Sequence, residues 1–126
     1  MMLAEVQSLL RCEVFSGNDF ADRPVTYGCA SDLMSDVLAF SRAGALLLTG
    51  LVNAQTVQTA FIAELNAVIF VRGKRPDEHV LRCAREKGIP LLGTPFSMYE
   101  ACGILYRSGI PSTMQPAAVA GRQEST

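Results

Sequence analysis

Three observations predict an α/β fold, a three-layer α/β/α sandwich around a mainly parallel central sheet. Short apolar runs alternate with amphipathic helical segments, the runs are apolar on both faces, and glycine- or hydroxyl-bearing turns separate them. Residues 45–49, 67–71 and 89–92 are the clearest strands, uncharged throughout, as expected of strands covered on both sides.

The elements follow in order. A short helix over residues 3–10 leads into a first strand at 11–15, and the polar turn Ser16-Gly17-Asn18-Asp19 breaks the pattern. A second strand at 25–30 follows Pro24. Ser31 or Asp32 is placed to cap the next helix, with Leu33, Met34, Val37, Leu38 and Ser41 on its inner face, and Ala43-Gly44 ends it. After the 45–49 strand, Asn53 caps a helix that turns Val57, Ala60, Phe61 and Leu65 inward. Beyond the 67–71 strand, Pro76 suits a first helical turn, Asp77 and Glu78 complement the helix dipole, Val80, Leu81 and Ala84 face the core, and Gly88 closes the helix. The last helix opens on Ser97-Met98-Tyr99-Glu100, an S-x-x-E capping box, and stops at Gly109 before Pro111. Residues 1–111 therefore form one domain. Residues 112–126, rich in Ala, Gln, Ser, Thr and Pro and without periodicity, are expected to be a flexible tail.

Composition narrows the function classes. A chain of 126 residues that is 49% hydrophobic and 18% charged can build its own core without disulfide or metal. Its formal net charge is −1 and its basic residues are scattered, so the electrostatic footprint of a nucleic-acid binder is missing. The longest apolar stretch, residues 43–52, is broken by Gly44, Thr49 and Gly50 and is too short to span a bilayer. No signal-peptide pattern opens the chain, and a soluble, cytoplasmic protein is the expectation. Cys12, Cys29, Cys83 and Cys102 lack any C-x-x-C spacing, which argues against zinc or iron–sulfur ligation and for reduced, buried thiols.

Ligands of an open parallel sheet bind beyond the carboxyl ends of the strands. Four turns qualify here, carrying Ser31 and Asp32, then Thr49, Gly50 and Asn53, then Arg72, Gly73, Lys74 and Arg75, then Thr94 with Ser97. Together they would offer helix N-termini, hydroxyls and three cations to a phosphate or carboxylate. The same residue types are also what turns and caps require, whether or not anything binds. Asp32 and Asp36, four apart, would share a helix face and could hold magnesium or act as an acid–base pair, although they equally suit a first helical turn. The one histidine, His79, has no partner at catalytic spacing, and neither a phosphate-binding G-x-x-x-x-G-K-[ST] loop nor a G-x-G-x-x-G fingerprint is present. No catalytic residue, cofactor or metal is expected.

Residues 28–111 resemble the DRTGG domain, in particular the short free-standing type found beside iron-only hydrogenase subunits. The matching pieces are residues 31–39, Gly44 to Thr49, Gly73-Lys74-Arg75-Pro76-Asp77, Lys87-Gly88-Ile89-Pro90-Leu91 and residues 105–110. Where the family usually has Asp-Arg this chain has Val52-Asn53, and where it has Thr-Gly-Gly it has Val71-Arg72-Gly73. The resemblance implies a regulatory or accessory module, a homodimer that binds a nucleotide-like anion or a hydrogenase or other redox-enzyme subunit. The alternative is a small enzyme of phosphorylated or acyl substrates, using the Asp32/Asp36 face and the turn from Arg72 to Arg75. An iron–sulfur protein is suggested only by the company such relatives keep.

Overall fold

The computed structural model describes residues 1–114 and 116. Helix α1 (Leu3–Leu9) is followed by β1 (Glu13–Ser16), a 3-10 turn (Asn18–Phe20), β2 (Tyr27–Ala30), α2 (Met34–Phe40), β3 (Ala45–Thr49), α3 (Ala54–Ile62), β4 (Ala67–Phe70), α4 (Glu78–Lys87), β5 (Leu91–Gly93) and α5 (Met98–Arg107). The sheet runs β1-β5-β4-β3-β2, with β2 to β5 parallel and β1 antiparallel to β5.

Because β2, β3, β4 and β5 step across the sheet in one direction, right-handed crossovers put α2, α3 and α4 on one face. The packing agrees: Ala45, Leu47, Val68, Phe70 and Leu91 of the sheet meet Met34, Val37, Val57, Ala60, Val80 and Ala84 of those helices. The alternate residues, Leu46, Leu48, Ala67, Ile69 and Leu92, point the other way onto Leu3 and Val6 of α1 and Ala101 and Leu105 of α5. Strands covered on both faces explain their unbroken apolar runs. The α/β sandwich and its mainly parallel sheet are as the sequence predicts.

Local departures have physical causes. Helix α2 starts later than its capping signal suggests, with Leu33 at the N-cap, because the Asp32 carboxylate is turned away to donors on the next strand. Leu33 and Leu38, expected inside, are 58% and 49% exposed. Their helix lies over edge strand β2, where only Met34 and Val37 find a neighbour. Helix α3 is flanked by α2 and α4, so Thr56 and Thr59 are buried with Val57 and Ala60, while Phe61 stays out beneath the Lys87 ammonium. Of the expected tail, Ser112 bridges Gly28 and the Thr113 amide donates to the Gly28 carbonyl at 3.2 Å; most of the remainder lies outside the described residues.

Candidate functional site

The carboxyl ends of β2, β3 and β4 bring one cluster together. The Thr49 hydroxyl donates to Asp32 Oδ1 at 3.0 Å, and the Gly50 amide donates to the same oxygen at 2.6 Å. From the turn after β4, Lys74 Nζ donates to the Gly50 carbonyl at 2.8 Å. A Cβ on Gly50 would lie 3.2 Å from Lys74 Nζ and 3.5 Å from both Asp32 carboxylate oxygens, so any side chain here would press on the lysine tip and shift it by a few tenths of an ångström. Asp32, Thr49, Gly50 and Lys74 thus form one hydrogen-bonded unit across three adjacent turns.

Beside it, α3 begins. Asn53 accepts from the Thr56 amide at 3.1 Å, as an N-cap should, and Thr56 Oγ1 donates to the Leu51 carbonyl at 2.7 Å. The Ala54 and Gln55 amides open the helix without intrahelical acceptors, which leaves donors and the positive end of the helix dipole at this edge. Arg72, in the neighbouring turn, is exposed, and no side-chain hydrogen bond or ion pair to it occurs among the described residues.

The remaining candidates are committed elsewhere. Ser31 Oγ accepts from the Leu33 amide at 3.0 Å and shapes its own turn. Arg75 reaches back to β1, where two guanidinium nitrogens donate to Glu13 at 2.7 and 2.8 Å over the face of Phe15. Those hydrogen bonds hold the Glu13 carboxyl below its ordinary range. Thr94, 1% exposed, points inward and donates to the Leu10 carbonyl at 2.6 Å. Asp36 sits exposed on α2 while Asp32 precedes that helix, so the two share no helix face. His79 is exposed on α4. Among the described residues no group of three or more His, Cys, Asp or Glu is arranged to hold a metal, and no helix is long and apolar enough to cross a membrane.

Topology offers a crevice between β4 and β5, since the chain leaves β4 toward α4 on one face and β5 toward α5 on the other. That crevice is sewn shut. The Arg72 amide donates to the Phe96 carbonyl at 2.8 Å and the Gly73 amide to the Thr94 carbonyl at 2.9 Å, both from left-handed residues with φ of 58° and 70°. A hollow of about 170 Å³ remains outside it, against Arg11, Phe15 and Pro95.

Two features escaped the sequence. The Glu13–Arg75 pair depends on β1 joining β5 antiparallel, which no local signal announces. A groove of about 480 Å³ also lies between edge strand β2 and α5, walled by Gly28, Cys29, Leu48, Tyr99, Cys102 and Tyr106. The recurrence of Tyr99, Gly103 and Tyr106 at helical spacing on the outer face of α5 was the available clue.

No family model matches the sequence, and no curated protein matches it. Among solved structures the chain is similar to the CBS and DRTGG domains of the regulatory region of Clostridium perfringens pyrophosphatase, crystallised with the activator diadenosine tetraphosphate. The TM-score is 0.71 at 16% sequence identity, over 89% of this chain and 48% of that one, so the chain spans about half the length of its neighbour. At that identity the likeness concerns the fold: the chain is an α/β sandwich of the architecture found in a CBS–DRTGG regulatory region.

Proposed function

We propose that the chain is a non-catalytic regulatory or accessory module. It binds a small anionic, nucleotide-like ligand at the carboxyl edge of the sheet and works as a homodimer or beside a redox-enzyme subunit such as a hydrogenase. The observation that carries the ligand part is the crossing of Lys74 onto Gly50, alongside Asp32 and Thr49, next to the open N-terminus of α3. Arg72, Lys74 and the first α3 amides would meet the anion. Asp32 and Thr49 would hold the turn to which Lys74 reaches. Ser31, Asn53 and Gly73 shape the turns, and Arg75 and Thr94 fasten the β4 and β5 loops from behind. The pyrophosphatase regulatory region, with its nucleotide activator, supports both the ligand class and a regulatory role.

A thermal-shift panel of nucleoside mono-, di- and triphosphates, dinucleoside polyphosphates, sugar phosphates and inorganic phosphate tests the reading. At least one nucleotide should raise the melting temperature of the wild-type chain, and Lys74→Ala or Arg72→Ala should remove that rise. No shift across the panel, or shifts indifferent to both substitutions, would refute it. Turnover of the bound nucleotide, followed by phosphorus NMR, would favour the enzyme alternative.

A further inference from the structure

The outer face of α5 is built around a glycine that its own chain does not explain. Gly103 lies mid-helix and exposed, and a Cβ there would meet nothing within 4 Å. An exposed mid-helix glycine is a much poorer helix former than alanine. On either side of it stand two rails. At about 100° per residue, Tyr99 and Tyr106 fall on one flank of Gly103 and Glu100 and Arg107 on the other. The tyrosines are 89% and 74% exposed, and the groove of about 480 Å³ opens beside them.

We propose that this face is an isologous interface in which a second copy of the chain packs α5 antiparallel against α5 across a two-fold axis near Gly103. Such an axis reverses helix direction but keeps each flank opposite its own counterpart. The tyrosine rail then meets the tyrosine rail, with Tyr99 of one copy beside Tyr106 of the other. On the opposite flank the acidic Glu100 meets the basic Arg107, twice over. Those two residues lie seven apart at opposite ends of the helix, which is the arrangement that makes the face complementary to itself and not to a copy in parallel orientation. Gly103 lets the backbones approach, and the paired rings close both grooves, as aromatic residues do at interface centres. The proposal gives a surface to the homodimer in the reading above and is independent of its nucleotide site.

Sedimentation velocity on the full chain without nucleotide tests it. Wild type should be dimeric at micromolar concentration. Arg107→Glu and Glu100→Arg should each weaken the dimer about tenfold or more by facing like charges twice, and the double exchange should restore it. Gly103→Lys should give a monomer whose melting temperature is no lower than that of an equally monomeric Arg107→Glu chain, because lysine favours the helix. A wild-type monomer at high micromolar concentration would overturn both the interface and the homodimer, leaving the nucleotide site untouched. A dimer indifferent to these substitutions would overturn the interface alone.

Discussion

Replacing Asp32 by alanine removes one acceptor that serves two donors on the neighbouring strand end. The Thr49 hydroxyl is fully buried, and losing its acceptor leaves a desolvated donor, an effect of about 1–3 kcal/mol. The Gly50 amide is half-buried and regains part of its hydration, adding about 0.5–1 kcal/mol for a hydrogen bond that was charge-assisted. The sum is about 1.5–4 kcal/mol, or roughly 5–20 °C in melting temperature for a domain of this size. Thermal melts by circular dichroism, paired with urea unfolding at unchanged m-value, measure it. Asp32→Asn, which keeps Oδ1 as an acceptor and discards only the charge, should lose less than half as much. An Asp32→Ala chain melting within a degree of wild type would refute the reasoning. An Asp32→Asn chain as unstable as the alanine variant would show that charge, and not hydrogen bonding, holds the turns together.

Other outcomes follow from the same geometry. Thr94→Val strands the Leu10 carbonyl in a buried setting and should lower stability by about 1–3 kcal/mol in urea unfolding, with little change in nucleotide response. Gly93→Ala should be destabilising in the same assay, because its Cβ would fall 2.6 Å from the Phe15 ring, which is itself held between Gly93 and Arg75. Asn53→Ala should remove about 1 kcal/mol through loss of the α3 cap. Burial pushes the Cys12 thiol up to about 12, and burial with the nearby Cys102 pushes Cys29 up to about 11. Against an ordinary value of 9.0, the folded chain holds these protons longer than the unfolded one, so their contribution is intact below about pH 9 and declines as pH rises through 11 to 12. Urea unfolding across that alkaline range should show a shallower decline for Cys12→Ala than for wild type.

The parallel core was legible because strands sealed on both faces carry unmistakable sequence, as Ala45–Thr49 and Ala67–Phe70 show. Caps were legible where the residue had no better partner: Asn53 and Ser97 each accept from the amide three positions on, whereas Asp77, expected within the first turn after Pro76, is itself the N-cap of α4 and leaves Pro76 outside the helix. Asp32 reads identically in sequence but is drawn to Thr49 and Gly50, a choice made by the pairing of β2 with β3. The amphipathic patterns of α2 and α3 misplace Leu38 and Phe61 because helix periodicity says which residues share a face, not how far the neighbouring layer extends. At the site, turn positions were predictable but side-chain directions were not. Arg75 leaves the carboxyl edge for Glu13, and Thr94 turns inward to Leu10, because β1 closes the sheet beside β5 from far away in sequence.

The most direct test of the regulatory account is a crystal structure of the chain with the nucleotide that shifts its melting temperature most. The account predicts phosphate density at the carboxyl ends of β3 and β4, within hydrogen-bond reach of Lys74 Nζ, the Arg72 guanidinium and the first amides of α3. A nucleotide ordered instead in the groove between β2 and α5, or bound with Lys74 still closed onto Gly50 and no phosphate near it, would contradict it.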